Sequence, residues 1–202
     1  AAALLDSGSE VLGFDDPMSM DHHWGPRVQL FLREADQQHL PVLHAVLQHE
    51  LPYTFQGYPT NFTAPNLEDN GVQLLVAVTQ GPVNHRVTLL TPSAFFAEYL
   101  GFDLRQELTP PDWLTFSEQR LRTLTAGGLW YDAIGLAEIR SRFNYYPHDV
   151  WLYLLAAGWA RIGQEEHLMG RAGLVGDEVG SALIGARLVR DLMRLCFLME
   201  RV

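Results

Sequence analysis

The sequence predicts an α+β protein, a mixed β-sheet with flanking helices followed by a helical bundle region. Three observations predict it. The first half alternates short extended runs with helical ones, and the second half is helical in period almost throughout. The length of 202 residues, with 48% hydrophobic and 19% charged side chains, suffices for one ample core or two small ones. The expected boundary lies between 109 and 110. Residues 1–109 form an α/β unit, expected to be incomplete at its N-terminal side, and residues 110–202 form the mainly helical region.

Each element follows from a local signal. Residues 27–32 partly alternate and read as a strand. Residues 36–51 read as a helix, because Leu40, Leu43, Leu47 and Leu51 recur near helical spacing and Pro52 stops it. Two more strands, 72–79 and 85–90, are joined by a turn at Gly81 and Pro82. Thr91 and Pro92 then open a helix to about residue 100. Thr115, Phe116, Ser117 and Glu118 fit a capping box before a helix over 119–125. Residues 128–132 supply a short added strand that leads into a helix over 133–143. Pro147 opens a long apolar helix over 151–170, with Leu152, Leu155, Trp159 and Ile162 on one stripe. Gly173 and Gly176 break it, and a last helix runs from about residue 177 to the end. No cap, glycine or proline closes that helix. Further residues are therefore expected after Val202, with an exposed apolar stripe along Leu188, Leu192, Leu195 and Met199.

Charge narrows the function classes. The net charge is −10 and all 14 basic residues are arginine. Without lysine there is neither a P-loop lysine nor a Schiff base. Residues 1–109 hold 13 acids against 4 arginines, and the remainder 11 against 10. An acidic surface repels polyphosphate backbones, so broad nucleic-acid binding is not expected. A compact anion remains compatible if metal ions or the arginines of the second half hold it. No apolar run reaches the ~18–20 residues that span a bilayer. The start has no basic n-region, and Cys196 is a lone cysteine, read as a small buried hydrophobe. A cytoplasmic location is the expectation.

The richest stretch runs from Ser7 to Arg27. Gly8-Ser9, followed after a short spacer by Asp21 and then a strand, resembles the signature of the nucleotidyltransferase superfamily. That resemblance implies a Gly-Ser turn that opens a helix and cradles nucleotide phosphates, and a pair of acids two residues apart that binds divalent metal. Alternate strand residues share a face, so positions 21 and 23 are able to share an ion. More narrowly, the chain resembles the bacterial family called domain of unknown function 4037. The runs that carry this are Gly13-Phe14-Asp15, Asp21-His22-His23-Trp24-Gly25-Pro26-Arg27 and Asp112-Trp113-Leu114-Thr115-Phe116, with four later ones. Those are Asp149-Val150-Trp151-Leu152-Tyr153, Gln164-Glu165-Glu166, Gly170-Arg171 and Ala186-Arg187-Leu188-Val189-Arg190-Asp191-Leu192. Two departures stand out. Position 23 is histidine where the second acid belongs, and neither 72–79 nor 85–91 supplies the third, with Thr88 on the face where it would lie. Hard cations want oxygen ligands, and imidazole favours zinc-like metals.

The candidate residues each carry two readings. Gly8 and Ser9 form either an anion-binding turn or an ordinary cap. Asp21 is a metal ligand and catalytic acid of the pair, or a turn cap. His22 and His23 face opposite ways on a strand, so at most one joins Asp21; His23 is a ligand or phosphate contact, or an exposed or hydrogen-bonded histidine. Trp24 to Pro26 form a structural corner with Trp24 buried. Glu165 and Glu166 interrupt an apolar helix. They serve as a general base for an acceptor hydroxyl, or as an ion pair with Arg161, Arg171 or Arg187. Arg187, Arg190, Arg194 and Arg201 share a helical side; Arg187 and Arg190 either contact a triphosphate or are solvated, with Arg187 and Asp191 as an i,i+4 pair. The leading function is transfer of a nucleotidyl group from a nucleoside triphosphate to a small-molecule acceptor, with Mg2+ or Mn2+. The alternatives are a catalytically degenerate binding or regulatory protein of the same fold, and a transition-metal site built on Asp21 and His23.

Overall fold

The computed structural model describes residues 1–20 and 24–201. The chain divides into two compact units, Ala1–Glu107 with Phe116–Asn144, and Leu108–Thr115 with Tyr145–Val202.

A four-stranded mixed sheet organises the first unit. Strand β1 (Ala2–Ala3) lies between β2 (Arg27–Phe31) and β6 (Leu129–Tyr131), antiparallel to both. Strand β5 (Arg86–Leu90) joins β2 in parallel and in register, with Arg27 opposite Arg86 and Phe31 opposite Leu90. Helix α1 (Ser9–Leu12) sits in the β1–β2 link. The long β2–β5 crossover carries α2 (Leu40–Glu50) and a hairpin of β3 (Thr54–Phe55) and β4 (Tyr58–Pro59). Helices α3 (Pro92–Tyr99), α5 (Glu118–Ala126) and α6 (Leu136–Ser141) complete the unit.

The mixed sheet and the strands at 27–31 and 86–90 match expectation; four local readings need correction. Residues 72–79 form no strand. Their apolar alternation is real, but the partner segment takes up the backbone irregularly: Leu74 N–H donates to Thr63 Oγ1 at 3.1 Å and Val76 N–H to Asn61 O at 3.0 Å. Only isolated bridges, Phe62 to Leu75 and Asn66 to Val72, remain of a ladder. The helix expected from 36 begins as a 3-10 turn, Glu34–His39, and becomes α-helical at Leu40, where Pro41 fits the first turn. Ser117, not Thr115, caps α5 by accepting from Arg120 N–H at 3.3 Å, because Thr115 ends the short helix α4 (Pro110–Thr115). The helix expected over 133–143 shrinks to α6, since the Asp132 carboxylate holds Ile134, Gly135 and Ala137 N–H at 2.8–3.0 Å in a turn. Strand β1 had no sequence signal and is the central partner of β2 and β6.

Aromatic rings fill the core of this unit. Phe31 on β2 meets Phe95 edge-on at 5.4 Å, and Phe96 packs on Phe143 at 5.0 Å. Phe102 and Phe116 close around Phe143 at 5.9 and 6.1 Å. The division at 109 is corrected for this reason. Phe116 and Phe143 enter the first core and β6 pairs with β1, so residues 116–144 belong with the sheet. A buried amide adds the polar part. Gln29 accepts Leu5 N–H at 2.8 Å and donates to Asp6 at 3.2 Å. At the far edge, His44 of α2 packs on His85 with ring centroids 4.8 Å apart, and His85 Nδ1 accepts Val87 N–H at 3.1 Å.

The second unit is α4 with the hairpin of α7 (His148–Leu174) and α8 (Glu178–Glu200). Gly176 turns at φ 81° and Asp177 caps α8 through Gly180 N–H at 2.8 Å. Ile162, Leu188 and Leu195 form its core with Leu155 and Ile184. The expected α7 stripe is split: Ile162 is buried, whereas Leu152 and Trp159 are exposed. On α8, Leu188 and Leu195 are buried, while Leu192 and Met199 are exposed. Cys196 is exposed, contrary to expectation, because it stands one residue past the buried line through Leu188, Asp191 and Leu195. No helix among the described residues is long and apolar enough to cross a membrane.

Two stability outcomes follow from the sheet and its edge. Gln29→Leu fills the same space but orphans Leu5 N–H, and chemical denaturation should show a loss of about 1–3 kcal/mol. Burial, and then the His44 imidazole, hold His85 below the ordinary histidine value. The unfolded chain therefore takes up a proton that the folded chain refuses, so stability is full above pH ~6.5 and erodes as pH falls through it. His85→Asn keeps an acceptor for Val87 N–H, and thermal melts between about pH 7.5 and 5.5 should then lose part of their pH dependence.

Candidate functional site

A cavity of about 880 Å³ opens in the first unit beside the starts of β2 and β5. Three pieces of chain build its polar wall: the Ser7–Glu10 turn into α1, the loop through Asp15 and Asp16, and the first residues of the two parallel strands.

Gly8 stands at the helix start in extended conformation, φ 162°, which any residue adopts. Space is what excludes a side chain there, since a Cβ would run into the Arg27 guanidinium and the Glu10 carboxylate. Ser9 Oγ donates to Asp15 Oδ1 at 2.6 Å, tying the loop back onto the helix. Asp16 closes the following 3-10 turn as a capping box, accepting Met18 N–H at 2.8 Å and Ser19 N–H at 3.2 Å. Both loop acids thus shape the chain that leads towards position 21.

Arg27 holds the turn from the strand side. Its guanidinium grips the Glu10 carboxylate with two nitrogens, donates to Ser7 O at 2.7 Å, and lies 3.3 Å from Asp6. Arg86 stands beside it across the parallel ladder and over the Phe62 ring at 5.6 Å. Burial, with the charge of Arg27 second, lowers the Arg86 pKa, while Asp6 and Glu10 act the other way. Burial also pushes the Asp6 carboxyl up, with Arg27 as the main opposing influence. Two adjacent cations in a concave wall are unfavourable alone, and these acids offset part of that cost.

An aromatic wall faces the same cavity. Trp24, Phe55 and Tyr58 line it, with the Trp24 and Tyr58 rings edge-to-face at 4.9 Å. Trp24 is half-buried rather than buried, because it forms a cavity wall instead of a core corner.

Of the candidates from sequence, Gly8 and Ser9 line this cavity. Asp21, His22 and His23 lie outside the described residues. Glu165, Glu166, Arg187 and Arg190 belong to the second unit. Glu165 lies 2.7 Å from Arg187 and 3.7 Å from Arg161, and Glu166 is exposed. Arg161 bonds the buried Asp191 at 2.6 Å, and Arg190 reaches the same carboxylate at 3.3 Å. The expected i,i+4 partner of Asp191 is corrected accordingly. Arg187 turns across the hairpin to Glu165, and Arg161 takes Asp191. Hydrogen bonding from Arg161 holds the Asp191 carboxyl below its usual range. Among the described residues no group of three or more His, Cys, Asp or Glu is arranged to hold a metal ion. Sequence reasoning missed Arg27, Arg86 and the hairpin. The only available signal was that two of the four arginines before residue 110 open strands.

Residues 113–202 match the model of the family described as Domain of unknown function (DUF4037). The match supports the resemblance carried by the runs from Trp113 onward; the runs between Gly13 and Arg27 lie outside it. No curated protein and no solved structure matches the chain.

Removing Arg27 strands Asp6 in a half-buried site. Arg27→Met should cost about 1–3 kcal/mol near neutral pH. The loss should shrink as acid protonates Asp6, whose raised pKa makes neutralisation easy. Denaturation at two pH values checks both parts.

Proposed function

We propose that this chain is nucleotidyltransferase-like, binding a nucleoside triphosphate in the first unit and passing its nucleotidyl group to a small hydroxyl or amine acceptor. The observation that carries the reading is the meeting of Gly8-Ser9, Arg27 and Arg86 in one cavity. Its volume of about 880 Å³ suits a ligand of nucleotide size. The order of β1, Gly8-Ser9, α1, positions 21 and 23, then β2 agrees with the superfamily signature, and so does the mixed pairing of β1, β2 and β5.

In the transfer, the acceptor oxygen or nitrogen attacks the α-phosphorus, the bond to the bridging oxygen breaks, and pyrophosphate leaves with the acceptor proton lost to solvent or a base. Such reactions gain most from positioning and charge stabilisation. Arg27 and Arg86 would neutralise phosphate oxygens, and the Ser9 N-terminal turn would orient them. Asp21 and His23 would hold the divalent ion, which when bound offsets charge on the phosphates. Asp15 and Asp16 stand on the same wall, where one oxygen of each is engaged by Ser9 and by the Met18 and Ser19 N–H groups.

A second reading is a relative that binds nucleotide without turnover. It is favoured by β5, Arg86–Leu90, which contains no acid, and by histidine at position 23. Pyrophosphate release separates the two: binding without release favours the second.

Calorimetry with ATP or GTP and Mg2+ or Mn2+ tests the binding on which both readings depend. Binding should be saturable, and Arg86→Met should weaken it about tenfold. Asp21→Ala should remove most of its metal dependence with little loss of stability, while His23→Asp should strengthen Mg2+ binding by adding a hard ligand. Unchanged affinity in both Arg86→Met and Asp21→Ala would overturn the proposal.

A further inference from the structure

The hairpin between α2 and β5 is built to present rings. Its base is fixed: Tyr53 OH donates to Gly81 O at 3.3 Å, Thr60 N–H to Tyr53 O at 3.1 Å, and Thr60 Oγ1 to Pro52 O. Its tip is a two-residue turn with Gln56 at φ 51° and Gly57 at φ 86°. Positive φ at both central positions is the type I′ turn that matches strand twist, and glycine suits the second position. Above this fixed base, Phe55 is 55% exposed and Tyr58 45% exposed. Burying neither ring in the core forgoes hydrophobic stabilisation, roughly 1.5–3 kcal/mol for a full-sized apolar side chain. A rigid hairpin that keeps its rings out of the core, yet turned into a cavity, offers them to a ligand.

We infer that Phe55, Tyr58 and Trp24 form a stacking wall for the nucleobase of the bound nucleotide. The inference rests on the nucleotide reading of this cavity. The same cavity holds Arg27 and Arg86, so one ligand would place its anionic part on the arginines and its planar part on the rings. A nucleotide has both parts; an inorganic polyphosphate has only the first. Trp24 and Tyr58 already meet edge-to-face at 4.9 Å and 84°, which leaves one ring able to receive a flat partner while the other braces it. Stacking tolerates any base, because every base has a π-face. The Gln56 side chain, on the same wall, carries a donor and an acceptor for a base edge.

The test compares ATP with sodium tripolyphosphate, both with Mg2+, on the full chain by calorimetry. Wild type should prefer ATP by about tenfold, the scale expected of one stacked base. Phe55→Ala should bring ATP to within about twofold of tripolyphosphate, with tripolyphosphate affinity and the thermal midpoint unchanged. Phe55→Tyr, which keeps a ring, should retain the ATP preference. If Phe55→Ala keeps the full preference, the stacking wall is wrong while the nucleotide reading stands. If wild type binds neither compound, both are wrong.

Discussion

Gln29 projects from β2 into the space where β1 leaves the sheet, and both ends of its amide are engaged there, by Leu5 N–H and by Asp6. With its side chain 3% exposed, those bonds are made away from water, where an unmade one is costly. The geometry of the cavity wall descends from this contact. It fixes where Asp6 ends, and Asp6 with Glu10 fixes the Arg27 guanidinium. Arg27 in turn donates to Ser7 O and so determines where Gly8 and Ser9 lie. A two-residue central strand has few ladder bonds of its own, so the side-chain bonds supply much of the definition at this junction.

Parallel pairing of β2 with β5 has an electrostatic consequence. Register sets Arg27 beside Arg86, two cations that repel in a partly desolvated wall. Burial is the larger cause that lowers the Arg86 pKa, while Glu10 and Asp6 oppose the repulsion. Binding an anion would relieve it further, and the chain's general acidity would then act as a filter. On the proposed function, a compact anion with a divalent countercharge would approach, whereas an extended polyanion would meet repulsion over a much wider surface.

The second unit uses its charges differently. Arg161, Glu165, Arg187 and Asp191 link α7 to α8 along one side of an otherwise apolar hairpin. Asp191, 5% exposed, accepts from Arg161 and Arg190. Pairs of this kind fix the register of two long helices, which a purely apolar seam would leave free to slip. Trp151 adds a directional bond, Nε1–H to Leu198 O at 2.6 Å, near the other end of the hairpin. The acids that interrupt α7 are thus accounted for by the hairpin itself in the case of Glu165, while Glu166 is exposed.

The sequence by itself determined what depends on neighbours along the chain. The α+β class, the strands at 27–31 and 86–90, the helix opened by Thr91 and Pro92, and the long helical second half all follow from local period and capping chemistry. The Gly8-Ser9 turn at a helix start was expected from the superfamily resemblance instead. Tertiary structure decided the rest. Ala2–Ala3 carries no strand signal and becomes central only because β2 and β6 both need a partner. Residues 72–79 carry a strand signal and lose it because the Thr63 hydroxyl takes Leu74 N–H in place of a ladder carbonyl, and Asn61 Nδ2 donates to Val76 O. Residues 116–144 join the first unit because Phe116 and Phe143 are buried among rings distant in sequence. The cavity is likewise invisible in one dimension. Arg27 and Arg86 lie 59 positions apart in the sequence, and only the parallel register, a product of non-local hydrogen bonding, sets them side by side.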